Sequence, residues 1–398
     1  MSKPPPSATP QPSAAPQPGA TAQPGTAARA GATSQAERDT RYMRRALELA
    51  LRGMDTTDPN PRVGCVLVRD NRIVGEGWHQ RAGEPHAEAH ALSAAGDAAQ
   101  GATAYVTLEP CAHTGRTPPC AQALIAAHVS RVVYALADPD PRVNGAGAAA
   151  LRAAGIETVT EVLAVEARAL NPGFFKRMQV GLPWVRVKLA ASLDGRTALA
   201  DGSSRWITGE LARQDVQSWR ARSSVILAGS GTVLADDPAL DVRTGAAARQ
   251  PLRVLLDSAL RVPPTARMFE RQGAAMVFTA SDDAGRRAEL ERRGVRVERV
   301  APASEGGLAL EPLLRRLAEL AANEVWVESG ARLAGALLRA QLVDELIVYL
   351  APSLLGPSAR ALVDLPEIAR LEQRLRLRFT QCINVGDDLR LIAVPVKE

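Results

Sequence analysis

Cysteine and aromatic residues are scarce in this chain. Its 398 residues include four cysteines, and aromatic side chains make up 4% of the sequence. Four cysteines are too few for a disulfide framework in a chain of this length, so we expect a reducing, cytoplasmic location. The net charge of +5 is small and dispersed, with no basic patch interleaved with aromatics. We therefore expect no nucleic-acid partner, whereas the excess charge suits a small phosphorylated substrate.

Long apolar runs are absent as well. No stretch of 18 or more apolar residues occurs, which argues against a membrane span and a membrane partner. A hydrophobic content of 46% and a charged content of 23% are typical of globular proteins. The length leaves room for two or three domains of ordinary size.

The N-terminal segment differs from the rest in composition. Eight prolines fall within the first 24 residues, among small and polar residues. Such a segment buries too little apolar surface to offset the entropy lost on ordering, so residues 1–38 are predicted to be a disordered tail. We place a first folded domain at residues 39–180 and a second at residues 181–398.

The folded part alternates between strand and helix patterns, which predicts a layered α/β architecture with at least part of the sheet parallel. The second domain repeats this alternation and ends in an apparent antiparallel hairpin. The main predicted elements are a helix over residues 40–53, a strand pair over 63–69 and 72–79, strands over 103–108 and 131–137, and hairpin strands over 377–384 and 388–394.

The segment from His86 to Cys120 has the composition of a catalytic zinc site. His86-Ala87-Glu88 is followed by Pro110-Cys111 and then by Cys120. One imidazole and two thiolates are good zinc ligands and leave a fourth position open for water. Glu88 is then free to carry a proton from that water to a leaving amine. This pattern is the signature of hydrolytic deaminases, and it predicts one zinc ion per chain.

Two other interpretations of these residues stay open. Cys111 and Cys120 could be core cysteines, or they could belong to a closed structural zinc site with His113 as the fourth ligand. We treat His113 and His90 as non-ligands. The general deaminase signature has two residues between its cysteines, whereas eight intervene here. The wider loop brings Thr and Arg side chains to the rim, which suits an anionic substrate.

The second domain is less informative on its own residues. No Gly-x-Gly-x-x-Gly pattern follows its first strand, so a Rossmann dinucleotide site is not supported. Ser329-Gly330 comes between a strand and a helix, and Gly229-Ser230-Gly231-Thr232 follows another strand. Each is either a phosphate-binding loop of backbone N–H groups or an ordinary strand–helix turn.

Several motifs together identify a family resemblance. They are Pro59-Asn60-Pro61-Arg62-Val63-Gly64, Gly83 to Glu88, Thr107 to Cys111, His113 to Cys120, Lys188 to Arg196, Trp206-Ile207-Thr208, Thr232 to Pro238, Trp326 to Gly330 and Leu342 to Glu345. From about residue 40 onward the chain resembles the bifunctional riboflavin-biosynthesis deaminase/reductases, with the two halves in the bacterial order.

This resemblance implies a fold and a function for each half. The N-terminal half would be a cytidine-deaminase-like three-layer domain that deaminates 2,5-diamino-6-(5-phosphoribosylamino)pyrimidin-4(3H)-one. The C-terminal half would be a dihydrofolate-reductase-like domain that uses NADPH to reduce the ribosyl group to ribityl. The zinc ligands of the family correspond to His86, Cys111 and Cys120, and its proton donor corresponds to Glu88.

The resemblance also implies contacts in the second site. The implied NADPH contacts are Ala190, Trp206, Thr232, Asp236, Ser258, Gly330, Ala331, Arg332, Leu333, Ala334, Gly335 and Ala336. The implied substrate contacts are Ser204, Arg220, Leu240, Arg243 and Glu328. Arg220 and Arg243 could grip the substrate phosphate. Lys188 could polarise the reacting centre of the opened sugar, or it could be an ordinary lysine with a buried stem.

The protein is expected to be a homo-oligomer. Two rival functions remain at this stage. A nucleic-acid or free-nucleoside deaminase with an accessory domain would share the zinc signature. A binding protein with a closed structural zinc module would need four protein ligands and no water. The wide spacing of the cysteines and the absence of a basic patch interleaved with aromatics argue against the first of these rivals.

Overall fold

The computed structural model describes residues 34–112, 119–141, 143–243, 249–304 and 306–396. Most of the predicted tail, residues 1–33, therefore lies outside the described residues. We call residues 34–180 the N-terminal part and residues 181–396 the C-terminal part, since each contains its own large sheet.

The N-terminal part is built on a mixed sheet with strand order β2-β1-β3-β4-β5. Strand β1 pairs antiparallel with β2 and β3, while β3, β4 and β5 pair in parallel. The described strands are β1 (Gly64–Arg69), β2 (Arg72–Trp78), β3 (Thr103–Val106), β4 (Arg131–Tyr134) and β5 (Glu157–Val159). The described helices are α1 (Gln35–Leu51), α2 (Ala87–Ala95), α3 (Cys120–Ala126), α4 (Ala146–Ala153), α5 (Ala164–Leu170) and α6 (Pro172–Val180), and a 3₁₀ turn spans Gly96–Ala99.

Helix α1 begins five residues before the predicted start at residue 40. Ser34 caps it: the Ser34 hydroxyl accepts a hydrogen bond from Glu37 N at 3.2 Å, and the Glu37 carboxylate accepts one from Ser34 N at 2.7 Å. This capping box supplies partners for two backbone N–H groups. Residues 34–38, assigned to the tail from composition, therefore belong to the cap and first turn of α1.

Helices cover both faces of this sheet, and one of them approaches the strands very closely. Helix α1 packs on one face, while α2, α3 and α4 pack on the other. Helix α2 lies directly against β2, because a Cβ atom at Gly77 would come within 2.3 Å of the Ala87 carbonyl oxygen. The first turn of α2, which carries Glu88, is thereby fixed relative to the sheet.

The C-terminal part contains a long sheet with strand order β11-β10-β9-β8-β12-β6-β13-β16-β15. The described strands are β6 (Trp184–Ser192), β7 (Arg196–Ala198), β8 (Val225–Gly229), β9 (Leu252–Leu256), β10 (Ala275–Thr279), β11 (Arg296–Arg299), β12 (Glu324–Glu328), β13 (Glu345–Ala351), β14 (Arg360–Ala361), β15 (Leu377–Val385) and β16 (Asp388–Pro395). The described helices are α7 (Glu210–Arg222), α8 (Ser230–Asp236), α9 (Arg267–Glu270), α10 (Ala284–Arg292), α11 (Leu310–Glu319) and α12 (Ala331–Arg339), and a 3₁₀ turn spans Leu371–Gln373.

Most of this sheet is parallel, as the strand–helix alternation predicts. Strands β11, β10, β9, β8, β12, β6 and β13 pair in parallel in that order. Strand β16 pairs antiparallel with β13 and with β15, so the predicted C-terminal hairpin is confirmed. Apolar clusters cover both faces, which is the usual requirement of a mainly parallel sheet.

Helix α6 is not among the elements predicted from the sequence, because Asn171-Pro172 is typical of the end of a helix. Asn171-Pro172 does end α5, but Pro172 is also the first residue of α6. Proline is favoured at the first helical position because its missing N–H has no partner there in any case. Among the described residues, no helix is both long and apolar enough to cross a membrane.

Candidate active sites

The three predicted zinc ligands come together beneath the N-termini of two helices. His86 is the N-cap residue of α2, and Cys120 is the first residue of α3. Cys111 lies in the loop that follows β3. His86 Nδ1 is 3.3 Å from Cys120 Sγ and 3.7 Å from Cys111 Sγ. The structure therefore brings the three predicted ligands together in one cluster.

These distances fit a tetrahedral zinc ion. Zinc–sulfur bonds of about 2.3 Å and zinc–nitrogen bonds of about 2.0 Å place ligand N and S atoms about 3.5 Å apart at the tetrahedral angle. All three ligand atoms lie within 4.8 Å of one another. The donor set and its spacing therefore fit zinc without rearrangement.

The local electrostatics favour a thiolate at Cys111. Hydrogen bonding from the Cys120 thiol and then from His86 holds the pKa of Cys111 well below its usual range. Cys120 N also donates to Cys111 Sγ at 3.4 Å. The pKa of the Cys120 thiol is raised instead, because this thiol donates a hydrogen bond to Cys111 and is buried. A second thiolate so close to the first requires a cation between them, which is the environment that a bound zinc provides.

Glu88 lies beside this cluster in the first turn of α2. Its side chain is buried, with 3% of the residue exposed, and burial raises its pKa. It interacts with the side chains of His86, Cys111 and Cys120 without belonging to the ligand set. A buried carboxyl group next to the open side of a metal site is suited to carry a proton.

The loop that carries Cys111 is supported by a buried carboxylate and by a close helix. Glu109 accepts hydrogen bonds from Gly145 N and Ala148 N, each at 3.0 Å. A Cβ atom at Gly147 would come within 1.8 Å of the Pro110 carbonyl oxygen. Helix α4 therefore packs directly against the backbone that precedes Cys111, and this contact fixes the position of Cys111.

Two residues near the cluster of predicted zinc ligands were given no role in the site from the sequence. Asn60 Nδ2 lies 3.1 Å from His79 Nε2, and the His79 ring meets the His86 ring edge-on with centroids 5.3 Å apart. His79 Nδ1 faces the Pro85 carbonyl oxygen at 3.2 Å. Asn60 occurred in the Pro-Asn-Pro motif, but its spacing from His86 gave no signal, because strands β1 and β2 intervene.

Two predictions about histidines can now be placed. His113, predicted to be a non-ligand, lies outside the described residues, as does most of the wide loop between the two cysteines. His90 lies on α2 and is not among the residues that cluster as ligands in the described chain. Its Nε2 is buried and has no hydrogen-bond partner among the described residues.

The two glycine loops of the C-terminal part are neighbours in space. They follow β8 and β12, which are adjacent parallel strands. Gly330 N donates to Thr232 Oγ1 at 3.2 Å, and a Cβ atom at Gly231 or Gly330 would meet open space. The Ser329 hydroxyl is buried and has no partner among the described residues. Open backbone, an unused hydroxyl and the N-terminus of α12 together fit a phosphate of a dinucleotide.

Other predicted NADPH contacts lie around these loops. Ala190 is on β6, next to β12 in the sheet, and the Ser258 carbonyl oxygen after β9 accepts from Thr279 Oγ1 at 3.2 Å. Trp206 is 69% exposed, and the Arg213 guanidinium lies 4.6 Å from the centre of its ring. The Asp236 carbonyl oxygen at the end of α8 accepts from Arg205 Nη2 at 2.8 Å.

The segment from Gly330 to Ala336 divides into two kinds of position. Gly330, Ala331, Arg332 and Leu333 form the open first turn of α12. Ala334 and Gly335 are buried, and a Cβ atom at Gly335 would come within 1.9 Å of the Asp364 carbonyl oxygen. Contacts of NADPH with these seven residues stay a prediction, and for Ala334, Gly335 and Ala336 the prediction depends on resemblance alone.

Arg220 and Glu328 form a buried ion pair. Arg220 Nε and Nη2 donate to the two carboxylate oxygens of Glu328 at 2.6 and 2.9 Å, and Nη1 donates to the Asp241 carbonyl oxygen at 2.8 Å. Burial alone would raise the pKa of Glu328, but the charge and hydrogen bonds of Arg220 outweigh it and lower the pKa to about 2. Arg220 thus orients Glu328, and its guanidinium is engaged within the protein.

Lys188 faces this pair from the neighbouring strand. It lies on β6 in register with Glu328 on β12. Burial is the main cause that lowers its pKa, and the charge of Glu328 acts in the opposite direction. This position fits the role predicted for Lys188, which is to polarise the reacting centre of the opened sugar. That role stays a prediction.

The remaining predicted substrate contacts differ in accessibility. The Arg243 side chain is 62% exposed and lies 3.5 Å from Asp241 Oδ1. Ser204 is half-buried in the loop before α7. Leu240 is 1% exposed within the core, so any contact with a substrate would have to come from its backbone.

Comparison with known families matches both parts. The zinc-binding region of cytidine and deoxycytidylate deaminases matches residues 36–136, and the RibD C-terminal domain matches residues 183–391. The riboflavin biosynthesis protein RibD of Escherichia coli K12 is 50% identical over 365 residues, which cover 89% of this chain and 98% of that protein. RibD of Haemophilus influenzae is 46% identical over 372 residues, which cover 90% and 98% of the two chains.

Solved structures show the same arrangement over nearly the whole chain. Acinetobacter baumannii RibD superimposes with a TM-score of 0.86 at 46% identity, covering 91% of this chain and 100% of that one. A Thermotoga maritima diaminohydroxyphosphoribosylaminopyrimidine deaminase/5-amino-6-(5-phosphoribosylamino)uracil reductase superimposes with a TM-score of 0.82 at 31% identity and the same coverage.

Proposed function

Since this chain belongs to the RibD family of riboflavin biosynthesis proteins, we propose that its two sites act one after the other on one phosphorylated pyrimidine. The protein is a bifunctional deaminase and reductase that uses Zn²⁺ and NADPH. The proposed first substrate is 2,5-diamino-6-(5-phosphoribosylamino)pyrimidin-4(3H)-one, and the second step reduces its ribosyl group to ribityl. The observation that carries the deaminase assignment is the cluster of His86, Cys111 and Cys120 beside Glu88.

In the first site the side chains divide the work of hydrolytic deamination. Zinc held by His86 Nδ1, Cys111 Sγ and Cys120 Sγ would supply a hydroxide nucleophile from water at neutral pH. Glu88 takes the proton of the attacking water and delivers it to the amino group. The carbon–nitrogen bond then breaks, and ammonia leaves with that proton. The buried position of Glu88 keeps the proton within the site.

In the second site Lys188 and Glu328 lie beside the open loops. NADPH bound at the first turn of α12 would supply a hydride to the opened sugar. Glu328 is held ionised by Arg220, so it can accept hydrogen bonds from sugar hydroxyls. Lys188, whose pKa burial lowers, is the group placed to polarise the reacting carbon or to give up a proton.

The phosphate of the substrate is assigned to Arg243 rather than to Arg220. Arg220 already donates three hydrogen bonds within the protein, whereas the Arg243 side chain is mostly exposed. A guanidinium group with free donors can bind a phosphate with two parallel hydrogen bonds.

The test of this function is turnover of alternative substrates by the zinc-loaded protein. We expect ammonia release from the phosphoribosylated diaminopyrimidine and negligible release from cytidine or an RNA stem–loop. A preference for RNA or for free cytidine would contradict the proposal, and a site that needs four protein ligands would favour a structural zinc module.

We further propose that the protein is a cytoplasmic homo-oligomer. The cysteines are free, and a thiolate zinc site requires reduced cysteines. Strand β15 lies at the edge of the large sheet, and eight of its nine residues are exposed, including Phe379 at 64%. An exposed edge strand of this length that carries apolar side chains is a template for pairing with a second copy.

The oligomer has its own test. Phe379→Lys should lower the oligomeric state measured by analytical ultracentrifugation, and a wild-type protein that sediments as a monomer would contradict the proposal. We likewise propose the division into a tail, a deaminase domain that ends at residue 180 and a reductase domain over residues 181–398. The boundary between tail and deaminase domain, predicted after residue 38, moves to before Ser34, because Ser34 caps α1.

A further inference from the structure

The loop of residues 58–62, which precedes β1, contacts the C-terminal part directly. Asp58 Oδ1 accepts hydrogen bonds from Ser224 Oγ at 2.7 Å and from Asn323 Nδ2 at 3.2 Å. Asn323 Nδ2 also donates to the Pro59 carbonyl oxygen at 2.8 Å. All three bonds have their donor in the C-terminal part, so that part holds both the backbone and a side chain of the loop.

The donors themselves are rigidly oriented. Ser224 Oγ accepts hydrogen bonds from Asn323 N at 2.8 Å and from Glu324 N at 3.0 Å while it donates to Asp58. A hydroxyl group has one proton to donate and two lone pairs, so this one is fully used. Asn323 Oδ1 in turn accepts from Arg177 Nε at 2.7 Å. The orientation of these groups is therefore set by the start of β12.

A buried ion pair fixes the other end of the same loop. Arg62 Nη1 lies 2.7 Å from Glu324 Oε1, and the two side chains are 7% and 2% exposed. Arg186 of the C-terminal part binds the second oxygen of the Glu324 carboxylate. The loop is thus held at Asp58, Pro59 and Arg62, with Asn60 between these points.

Asn60 links the loop to the cluster of predicted zinc ligands. Because a carbonyl oxygen can only accept, His79 Nδ1 donates to Pro85, and His79 Nε2 is left to accept from Asn60 Nδ2. The His79 ring packs edge-on against His86, the histidine of the cluster. A displacement of Asn60 would therefore alter the packing of His79 against His86, a predicted zinc ligand.

We propose that Asn323 is a positioning residue for deamination, although it lies in the part that carries the reductase site. This inference rests on the proposed function. Asn323 acts through Pro59 and Asn60 on the contact between His79 and His86. Strand β12 consequently serves both sites, because Glu324 at its start meets Arg62 and Glu328 at its end meets Arg220.

The test is Asn323→Ala in the full-length, zinc-loaded protein. We expect kcat/KM for deamination to fall about tenfold, the range found when outer partners of metal ligands are removed. NADPH oxidation with separately supplied deaminated product should stay within about twofold of wild type. Zinc content should stay at one ion per chain. A parallel fall in NADPH oxidation, or loss of zinc, would show a general structural role and overturn the proposal.

Lys176→Gln is the matched control. Lys176 Nζ lies 2.6 Å from Asp344 Oδ2, so this pair also joins the two parts. Within the described residues, no contact of Lys176 with the loop of residues 58–62 is recorded. Deamination should be unchanged in this variant. If it slows as much as in Asn323→Ala, the contact between the parts is merely structural and positioning by Asn323 is refuted.

A double variant shows whether Asn323 acts through Asn60. If it does, Asn60→Ala combined with Asn323→Ala should deaminate no more slowly than Asn60→Ala alone. Additive losses would contradict the proposal. Absence of deamination in the wild type would defeat the proposed function itself, whereas an active wild type with an equally active Asn323→Ala would defeat only the positioning role.

Discussion

The two active sites of this protein are assembled in opposite ways. The proposed ligands and proton carrier of the deaminase site come from residues 86–120, and three of the four lie at helix N-termini. The residues proposed for the reductase site come from β6, α7, α8, β12 and α12. These elements lie far apart along the chain and meet because β6, β12 and β8 are neighbours in one sheet. A local site can be recognised from its spacing, whereas a site built by topology cannot.

The sites also differ in what holds their charges. A zinc ion held by His86, Cys111 and Cys120 would balance the thiolates of the first site, so the integrity of this site would depend on an ion from outside the chain. The second site balances Glu328 with Arg220 from within the chain. Each prediction below should therefore affect one site and spare the other.

Removal of a zinc ligand should produce the largest effect. Cys120→Ala should abolish both zinc binding and deamination, because two remaining ligands cannot hold the ion tightly. NADPH oxidation with deaminated product should be retained. Metal analysis and the two separate assays measure this, with Cys382→Ala, at an exposed cysteine, as the control. Loss of both activities would mean that the sites are not independent.

Loss of the proton carrier should be nearly as severe. Glu88→Gln should slow deamination by about 10²- to 10⁴-fold, the contribution typical of a general acid–base group. Zinc should remain bound, since Glu88 is not a ligand. The exposed carboxylate of Glu84, three residues before α2, provides a control as Glu84→Gln. Full activity of Glu88→Gln would support a structural zinc site instead.

Removal of Arg220, the ion-pair partner of Glu328, should lower both the stability of the protein and its reductase activity. Arg220→Ala leaves Glu328 buried without its partner and should lower the free energy of unfolding by about 3–5 kcal/mol, as measured by urea denaturation. NADPH oxidation should be lost, and deamination should persist below the unfolding transition. A variant as stable as wild type would show that the pair is not buried in solution.

The pH dependence of that variant sharpens the same prediction. Because the pKa of Glu328 is lowered to about 2, the pair stabilises the protein above the ordinary glutamate pKa and loses this contribution as the pH falls. The stability difference between wild type and Arg220→Ala should therefore shrink between about pH 5 and pH 2. A difference that is constant over this window would argue against the ion pair as its cause.

The hydrogen bond between the two glycine loops should have the smallest effect. Thr232→Val removes the acceptor for Gly330 N, and a net value of about 0.5–1.5 kcal/mol predicts a 2- to 12-fold rise in KM for NADPH. Steady-state kinetics with deaminated product measure it. Thr380→Val on the distant edge strand is the control, because its hydroxyl also bonds to the backbone, there as the donor to the Ile392 carbonyl oxygen. An unchanged KM would place the cofactor elsewhere.

Sequence reasoning succeeded where the chemistry depends on local order. The cluster of His86, Cys111 and Cys120, the alternating α/β pattern and the C-terminal hairpin are all properties of short segments, and the structure has each of them. Helix α6 was missed for an equally local reason, because Pro172 can either end a helix or begin one.

The contacts that escaped prediction join residues distant in sequence. Asn323 meets Asp58 across 265 positions, and Arg220 meets Glu328 across 108. No periodicity or spacing reveals such pairs, because they arise from the contact between the two parts of the chain or from strand order in the sheet. Resemblance identified Arg220 and Glu328 as site residues but did not show that they bind each other. Of the two arginines predicted to bind the phosphate, we therefore propose Arg243 alone.

The most direct measurement follows ammonia and NADPH together in one reaction with the diaminopyrimidine substrate. Deamination before reduction predicts that ammonia release leads, that NADPH oxidation follows after a lag, and that the two reach a ratio of one to one. Glu88→Gln should then oxidise NADPH only when deaminated product is supplied. NADPH oxidation by Glu88→Gln on the original substrate, at the wild-type rate, would contradict the proposed order of the two sites.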